Sequence, residues 1–293
     1  MKPPTFDYYD PATLEEALEL MERYGSEAKV LAGGQSLMPL LNLRLARPSV
    51  LVDLNRIPGM DGVGREDGWL RVGALARQWD VEHAPEVVRH LPVLRETLRF
   101  VAHPQIRMRG TVGGSIAHAD PAAELPAVLV CLDGEVVAYR RGGMRIIAAR
   151  ELFVTYLTTS LEPTEILTEV RWPILPAGTG CAFVELARRH GDYALVGVAA
   201  LLRLAPDGSV VEGRIALAGC GPVPVRAREA EKTLLGARPS EELWEEVGRQ
   251  AASAVDPPSD LHASSAYRRH VAAVLVARAL QLACDRARGE EEG

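Results

Sequence analysis

Residues 28–54 read AKVLAGGQSLMPLLNLRLARPSVLVDL. A short apolar run, a glycine pair, a helically spaced segment, a proline and a second apolar run follow in about 25 residues. Two strands separated by a helix are too far apart for a tight hairpin, so the stretch predicts a compressed βαβ unit. Pro39 fits a helix over Ser36 to Arg44 because it sits in the first turn, where its missing N–H is not needed. Just upstream, DPATLEEALELMERYG sets Thr13 as N-cap with Glu16 three residues on. Leu14, Ala17, Leu18 and Met21 then recur at helical spacing, and Gly25 closes the element. Residues 1–55 are therefore expected to form a small α/β unit.

A second unit is expected over 56–177. WLRVGAL reads as a strand, Asp80 as the cap of a helix that Pro85 interrupts, and LPVLRETLRFVAH as a helix stopped at His103-Pro104. RGTVGGS reads as a glycine loop, followed by an apolar helix, an Asp-Gly turn and a strand. EILTEVRWP is a further strand ended by Pro173. ILPAGTG is the best linker, and 178–293 forms the third unit. There CAFVELARR, ALVGVAALLRL and SVVEGRIALAG predict a three-stranded antiparallel meander, its second turn written by APDGS. Helices are expected over 225–235, from Ser240, and from about Ser264 to Arg288. The fold class is α+β.

A core must be built from Ala, Leu and Val, because aromatics are only 5% of the 293 residues. With 33 Lys and Arg against 39 Asp and Glu, the net charge of −6 argues against a nucleic-acid binder. Arg107-Met-Arg109 is the one dense basic cluster. Four widely spaced cysteines without a CxxC offer no local zinc or iron–sulfur motif. They read as buried thiols in a reducing compartment. MKPPTFDYYDP lacks the apolar core of a signal peptide, and no apolar run nears the ~20 residues of a membrane span. A cytoplasmic protein with no metal site of its own is expected.

Ala32-Gly33-Gly34-Gln35-Ser36 follows a strand and opens a helix, where free backbone N–H groups suit a phosphate. Alone it also reads as a plain βα turn. Thr111-Val112-Gly113-Gly114-Ser115 repeats the pattern, and two such loops can clamp a dinucleotide diphosphate from both sides. His118, Asp120 and Glu124 follow closely. A carboxylate there can accept ribose hydroxyls, and Asp120-Pro121 equally fits a turn that caps a helix.

Four stretches then carry a resemblance: KVLAGGQSLMPLLNLRLARP, HPQIRMRGTVGGSIAHADPAAELP, RRHGDYALVGVAA and SSAYRRHVAAVLVARAL. Over nearly the whole chain they resemble the flavin-binding medium subunits of the molybdenum hydroxylases, the carbon monoxide dehydrogenase and xanthine dehydrogenase family. The resemblance implies a two-subdomain FAD-binding part of the vanillyl-alcohol-oxidase (PCMH) type, then a C-terminal α+β domain. It implies FAD held by residues 32–36 and 111–115, with Lys29, Val30 and Leu31 leading in. Ala117 and His118 would line the cofactor, Glu124 lie near a ribose, Leu167 near the flavin, and Tyr193 beside the isoalloxazine ring. It further implies a large molybdenum-cofactor subunit, a small [2Fe–2S] subunit, and quinone, NAD or oxygen as acceptor.

Two places depart from the family pattern. Gln35 stands where many members carry His, which removes imidazole titration but keeps a polar contact. Val184 and Glu185 follow Phe183 where some members carry a Lys, which puts a cation near the flavin N1–C2=O edge in question. Arg268 and Arg269 read as a charged helix face, solvated or paired with acids. His103 reads as a helix stop. A stand-alone flavin oxidase and a non-enzymatic assembly subunit remain as alternatives.

Overall fold

A computed structural model describes residues 2–289. Strands Ala28–Leu31 and Val50–Asp53 pair in parallel, with Ala28 opposite Val50 and Leu31 opposite Asp53. Helix Leu37–Asn42 lies between them, completing the βαβ unit. A third strand, Asp7–Tyr9, runs parallel along the other side of Val50–Asp53. Its three residues are too few and too exposed to leave a periodic signal. In helix Leu14–Tyr24 the Thr13 hydroxyl accepts from the Glu16 N–H at 3.2 Å. The Glu16 carboxylate accepts from the Ala12 N–H at 2.8 Å, and Ala17, Leu18 and Met21 are buried.

The second sheet is antiparallel, in the order Val63–Glu66, Trp69–Gly73, Ile166–Pro173, Glu135–Arg140, Gly143–Ala148. The two edge strands escape a reading of apolar alternation because most of their residues face solvent. Asp80 caps nothing: Arg77 is the N-cap of helix Gln78–His83, and Asp80 stands inside its first turn, where a carboxylate still suits the dipole. Pro85 opens a separate helix, Pro85–His90. The next helix, Pro92–Phe100, stops before His103, because Val101 turns extended and Ala102 takes φ +44. His103 instead precedes a short helix, Pro104–Arg107. The first two sheets share one buried cluster, which includes Val52, Leu70, Val112, Leu129, Val170 and Trp172.

Strands Thr179–Leu186, Val196–Leu204 and Val210–Ala218 form the expected meander. A fourth strand, Val225–Arg226, corrects the three-stranded count. The helix expected from 225 starts at Arg228, because Val225 pairs with Leu217 and the Arg226 guanidinium reaches Glu231 and Asp133. Helices Glu241–Ser253 and Ser265–Arg288 start at the foreseen caps, Ser240 and Ser264. They cover one face of this sheet and bury Val198, Leu202, Leu217, Trp244, Val276 and Leu280 in a second cluster. Among the described residues no helix is long and apolar enough to cross a membrane.

Candidate functional site

The two Gly-Gly stretches meet. A Cβ at Gly33 would fall 2.4 Å from the Arg109 carbonyl oxygen and 2.8 Å from Gly110 Cα. A Cβ at Gly114 would lie 3.9 Å from that of Ala32. A polar strut fastens the junction. Asn55 Nδ2 donates to the Ala32 carbonyl at 2.9 Å. Arg77 donates to Asn55 Oδ1 and to the Arg109 carbonyl, both at 2.7 Å. Burial, and then the neighbouring Arg109 charge, hold the Arg77 guanidinium below its ordinary value. Two cations kept close beside a glycine turn favour an anion there.

The first stretch has free donors to offer one. Gly34 takes φ +73, a left-handed conformation that a β-branched residue would strain to reach. The N–H groups of Gly33, Gly34, Gln35 and Ser36 have no hydrogen-bond partner among the described residues. Four consecutive free donors form a nest for anionic oxygens. The Gln35 side chain turns back, and its Nε2 donates to the Gly33 carbonyl at 3.1 Å. The donors border a cleft of about 410 Å³ whose walls include Asp53, Asn55 and Arg109.

The second stretch differs from the loop expected of it. Residues Val112–His118 are helical, and Gly113 and Gly114 lie in the first turn. The Val112 and Gly113 N–H groups donate to the Ala76 and Ala74 carbonyls at 3.0 Å. Thr111 caps the helix, its hydroxyl accepting from the Gly114 N–H at 3.1 Å. The Ser115 N–H donates to the Thr111 carbonyl at 3.1 Å. Four backbone donors are thus already satisfied by protein, and what remains for a ligand is hydroxyl groups. Gly113 has a packing reason of its own: a Cβ there would fall 2.4 Å from that of Ala74.

Beyond this helix the chain turns through Ala119, at φ +53. Asp120 caps no helix; its Oδ1 accepts from the Ala122 N–H at 2.9 Å, and the next helix starts at Glu124. The Gly219 N–H donates to the Pro121 carbonyl at 2.8 Å, which joins this turn to the C-terminal sheet. Burial holds the His118 imidazole below its usual range, with Asp120 opposing. Glu124 is 4% exposed, and burial raises its carboxyl to about 7.

Tyr193 arrives from the C-terminal sheet. The Arg268 guanidinium, 5% exposed, donates to the Leu195 carbonyl, and to Asp260 at 2.7 Å. This fixes the end of the segment that presents Tyr193. The residue is 54% exposed, yet its phenol end approaches Ser36. Burial at that end, reinforced by Asp120, pushes the phenol up to about 12. Ser36, Asp120 and Glu124 therefore lie around the Tyr193 phenol.

The remaining expected residues lie around this centre. Lys29 is exposed, Val30 packs on the first cluster, Leu31 borders the cleft, and Ala117 is exposed. Leu167 is 7% exposed and belongs to the core cluster. Its neighbour Thr168 accepts from the Ala74 N–H at 2.9 Å, which places Leu167 behind the Gly113 turn. Asn55, Arg77 and Arg268 went unforeseen as site residues. Asn55 carried a readable signal: it lies two residues beyond the C-terminal end of a parallel strand, where α/β sheets place ligand contacts.

A parallel α/β piece and an antiparallel piece share one core, free backbone donors stand at their junction, and a third sheet brings a tyrosine to them, an arrangement that suits an anionic ligand held between the two pieces. Residues 4–175 match the FAD binding domain in molybdopterin dehydrogenase, and residues 181–283 the CO dehydrogenase flavoprotein C-terminal domain. The chain belongs to the flavin-binding medium subunits of the molybdenum hydroxylase family. It is 44% identical to the alpha subunit of the 6-hydroxypseudooxynicotine dehydrogenase complex of Paenarthrobacter nicotinovorans, over 100% of this chain and 99% of that one. It is similar to carbon monoxide dehydrogenase of Hydrogenophaga pseudoflava, with a TM-score of 0.95 at 38% identity, covering 98% and 99% of the two chains. Quinoline 2-oxidoreductase of Pseudomonas putida 86 gives a TM-score of 0.93 at 36% identity, covering 98% and 99%.

Proposed function

We propose that the chain is the electron-transfer subunit of a molybdenum hydroxylase complex. It receives electrons from [2Fe–2S] clusters of a small partner subunit and passes them to quinone, NAD or oxygen. A large partner subunit holds the molybdenum cofactor and selects the substrate. The observation that carries the reading is the nest of four unpaired N–H groups at 33–36, set against a second glycine stretch. It fits a diphosphate without a lysine. When bound, FAD supplies a carrier that exchanges electrons singly or in pairs.

In this reading 1–55 and 56–177 are the two halves of the flavin-binding part, and 178–293 is the domain that closes over it. Gly33, Gly34, Gln35 and Ser36 hold the diphosphate through N–H groups, with Ala32 braced by Asn55. Thr111 and Ser115 add hydroxyls, while Val112, Gly113 and Gly114 let the second helix approach. Arg109 supplies countercharge. Asp120 and Glu124 accept from sugar hydroxyls. Lys29, Val30, Leu31, Ala117, His118 and Leu167 wall the cofactor, and Tyr193 stands beside the ring system and limits access to it. The partnership is tested by co-expressing the tagged chain with its genomic neighbours. Recovery of molybdenum, iron and FAD in one complex is the expected result. A chain that retains FAD yet reduces an external acceptor directly with a small-molecule substrate, with no partner present, would overturn it.

A further inference from the structure

One acid stands in a cleft otherwise suited to phosphate and has no part in that reading. The cleft of about 410 Å³ is walled by Gly33, Gly34 and Gln35, by Arg109, and by Asp53. Asp53 ends strand Val50–Asp53 and is half-buried. Its Oδ1 accepts from the Asn55 N–H at 2.9 Å and from Asn55 Nδ2 at 2.5 Å, and its Oδ2 accepts from the Tyr8 hydroxyl at 2.7 Å. A carboxylate offers about four acceptor positions, so about one remains open, on Oδ2. Among the described residues no Lys or Arg pairs with Asp53. Arg56 pairs with Asp10 at 2.9 Å, and Arg77 is committed to Asn55 and the Arg109 carbonyl. An unpaired carboxylate repels a phosphate and attracts a neutral group that donates. Leu31, Met38 and Pro39 add an apolar wall, against which the flat face of a base can pack. Free N–H groups, a cation, an acceptor and an apolar wall together suit a nucleotide rather than a bare diphosphate. No residue of 178–293 lines this cleft, whereas the reading above sets the ring system beside Tyr193, in that third unit. The adenosine half of the cofactor is what remains for it.

We propose that Asp53, held by Tyr8 and Asn55, accepts a hydrogen bond from the adenosine half of the cofactor and so makes the chain select FAD over FMN. The inference rests on the flavin-subunit reading above. The donor is a ribose hydroxyl or the exocyclic amine of adenine, both uncharged, and FMN carries neither. Tyr8 and Asn55 are positioning residues that fix the carboxylate in the cleft wall and leave it one acceptor. Strand Asp7–Tyr9, on which Tyr8 stands in register with Leu51, thereby serves the site. Donation to Asp53, with burial adding to it, pushes the Tyr8 phenol up to about 12, so it remains a donor at neutral pH. Asn55 couples the acid to the nest, because its Nδ2 also donates to the Ala32 carbonyl at 2.9 Å.

The test uses the full chain freed of cofactor, as wild type, Asp53→Asn and Tyr8→Phe, each checked for folding by its melting curve. Flavin fluorescence reads the affinities for FAD and FMN, and ADP is titrated against bound FAD. Wild type is expected to prefer FAD, and ADP to displace it. Asp53→Asn should weaken FAD and ADP by about tenfold or more, the worth of a hydrogen bond to a charged group, and leave FMN unchanged. Tyr8→Phe, which keeps the acid and loosens it, should weaken FAD severalfold, again without touching FMN. Three analogues, 2′-deoxy-ADP, 3′-deoxy-ADP and inosine diphosphate, each lack one donor, and the one insensitive to Asp53→Asn names the group that meets Asp53. Equal weakening of FAD and FMN would show a merely structural role and overturn the inference. So would unchanged FAD affinity in Asp53→Asn, ADP that fails to displace FAD, or three analogues all as sensitive as ADP. Each of these results leaves a wild type that binds FAD, and with it the flavin-subunit reading. A wild-type chain that binds neither flavin nucleotide overturns both.

Discussion

Gly33→Ala probes the junction with the least chemistry added. The new methyl would sit 2.4 Å from the Arg109 carbonyl oxygen and 2.8 Å from Gly110 Cα, both backbone atoms that no rotamer change can move aside. The two segments must separate by about 1 Å to reach ordinary contact, a strain that overpacking studies put at about 1–3 kcal/mol. The same retreat stretches the 2.7 Å bond from Arg77 to the Arg109 carbonyl past its useful range. Losing one hydrogen bond from a half-buried guanidinium adds about 1–2 kcal/mol. Together they lower the melting temperature of the flavin-binding part by about 4–20 °C, at about 2–4 °C per kcal/mol. A nest displaced by that distance also loses one to two decades of FAD affinity, about 1.4 kcal/mol each. Differential scanning fluorimetry of the apoprotein and equilibrium titration with FAD measure the two effects. A variant with wild-type melting and wild-type affinity would refute the close approach on which the site is built.

Three further outcomes follow from the same geometry. Thr111→Val removes the cap on the Gly114 N–H and costs about 1 kcal/mol of stability, read by chemical denaturation. Arg268→Gln releases the Leu195 carbonyl and Asp260, and limited proteolysis should then cut near Tyr193 faster than in wild type. Glu185→Gln has a pH signature. The folded state keeps a proton to about pH 9 that the unfolded chain releases near 4.5, so this residue costs stability progressively as pH rises through that window. The amide removes the cost, and the variant should gain stability over wild type at pH 8 and nothing at pH 4, by melting in matched buffers.

The sequence carried the central crossover unit well, because Val50–Asp53 is an almost fully buried apolar run and Ala28–Leu31 is interrupted only by the exposed Lys29. Caps at Thr13, Ser240 and Ser264 were equally plain, since each hydroxyl meets its N–H locally. Edge strands such as Val63–Glu66 and Gly143–Ala148 left no pattern, because their faces are wet. The glycine stretches show the limit most clearly. LAGGQS and TVGGS look alike as text, yet only the first leaves its donors free. Thr111 pairs two of the second stretch's donors locally, and the other two are paired by the carbonyls of Ala74 and Ala76, nearly 40 residues from the N–H groups they satisfy. Arg268 was read as part of a charged face, and its burial follows from the Leu195 carbonyl 73 residues away. Such long-range partners have no local spacing to betray them.

The account rests on FAD being held by the free N–H groups of the first stretch, and amide hydrogen exchange with and without FAD reads those groups directly. Saturating FAD is expected to slow exchange at Gly33, Gly34, Gln35 and Ser36 by tenfold or more. Val112 to Ser115 should already be protected in the apoprotein, because their donors are paired within the protein. Stoichiometric FAD binding that leaves exchange at residues 33–36 unchanged would contradict the account.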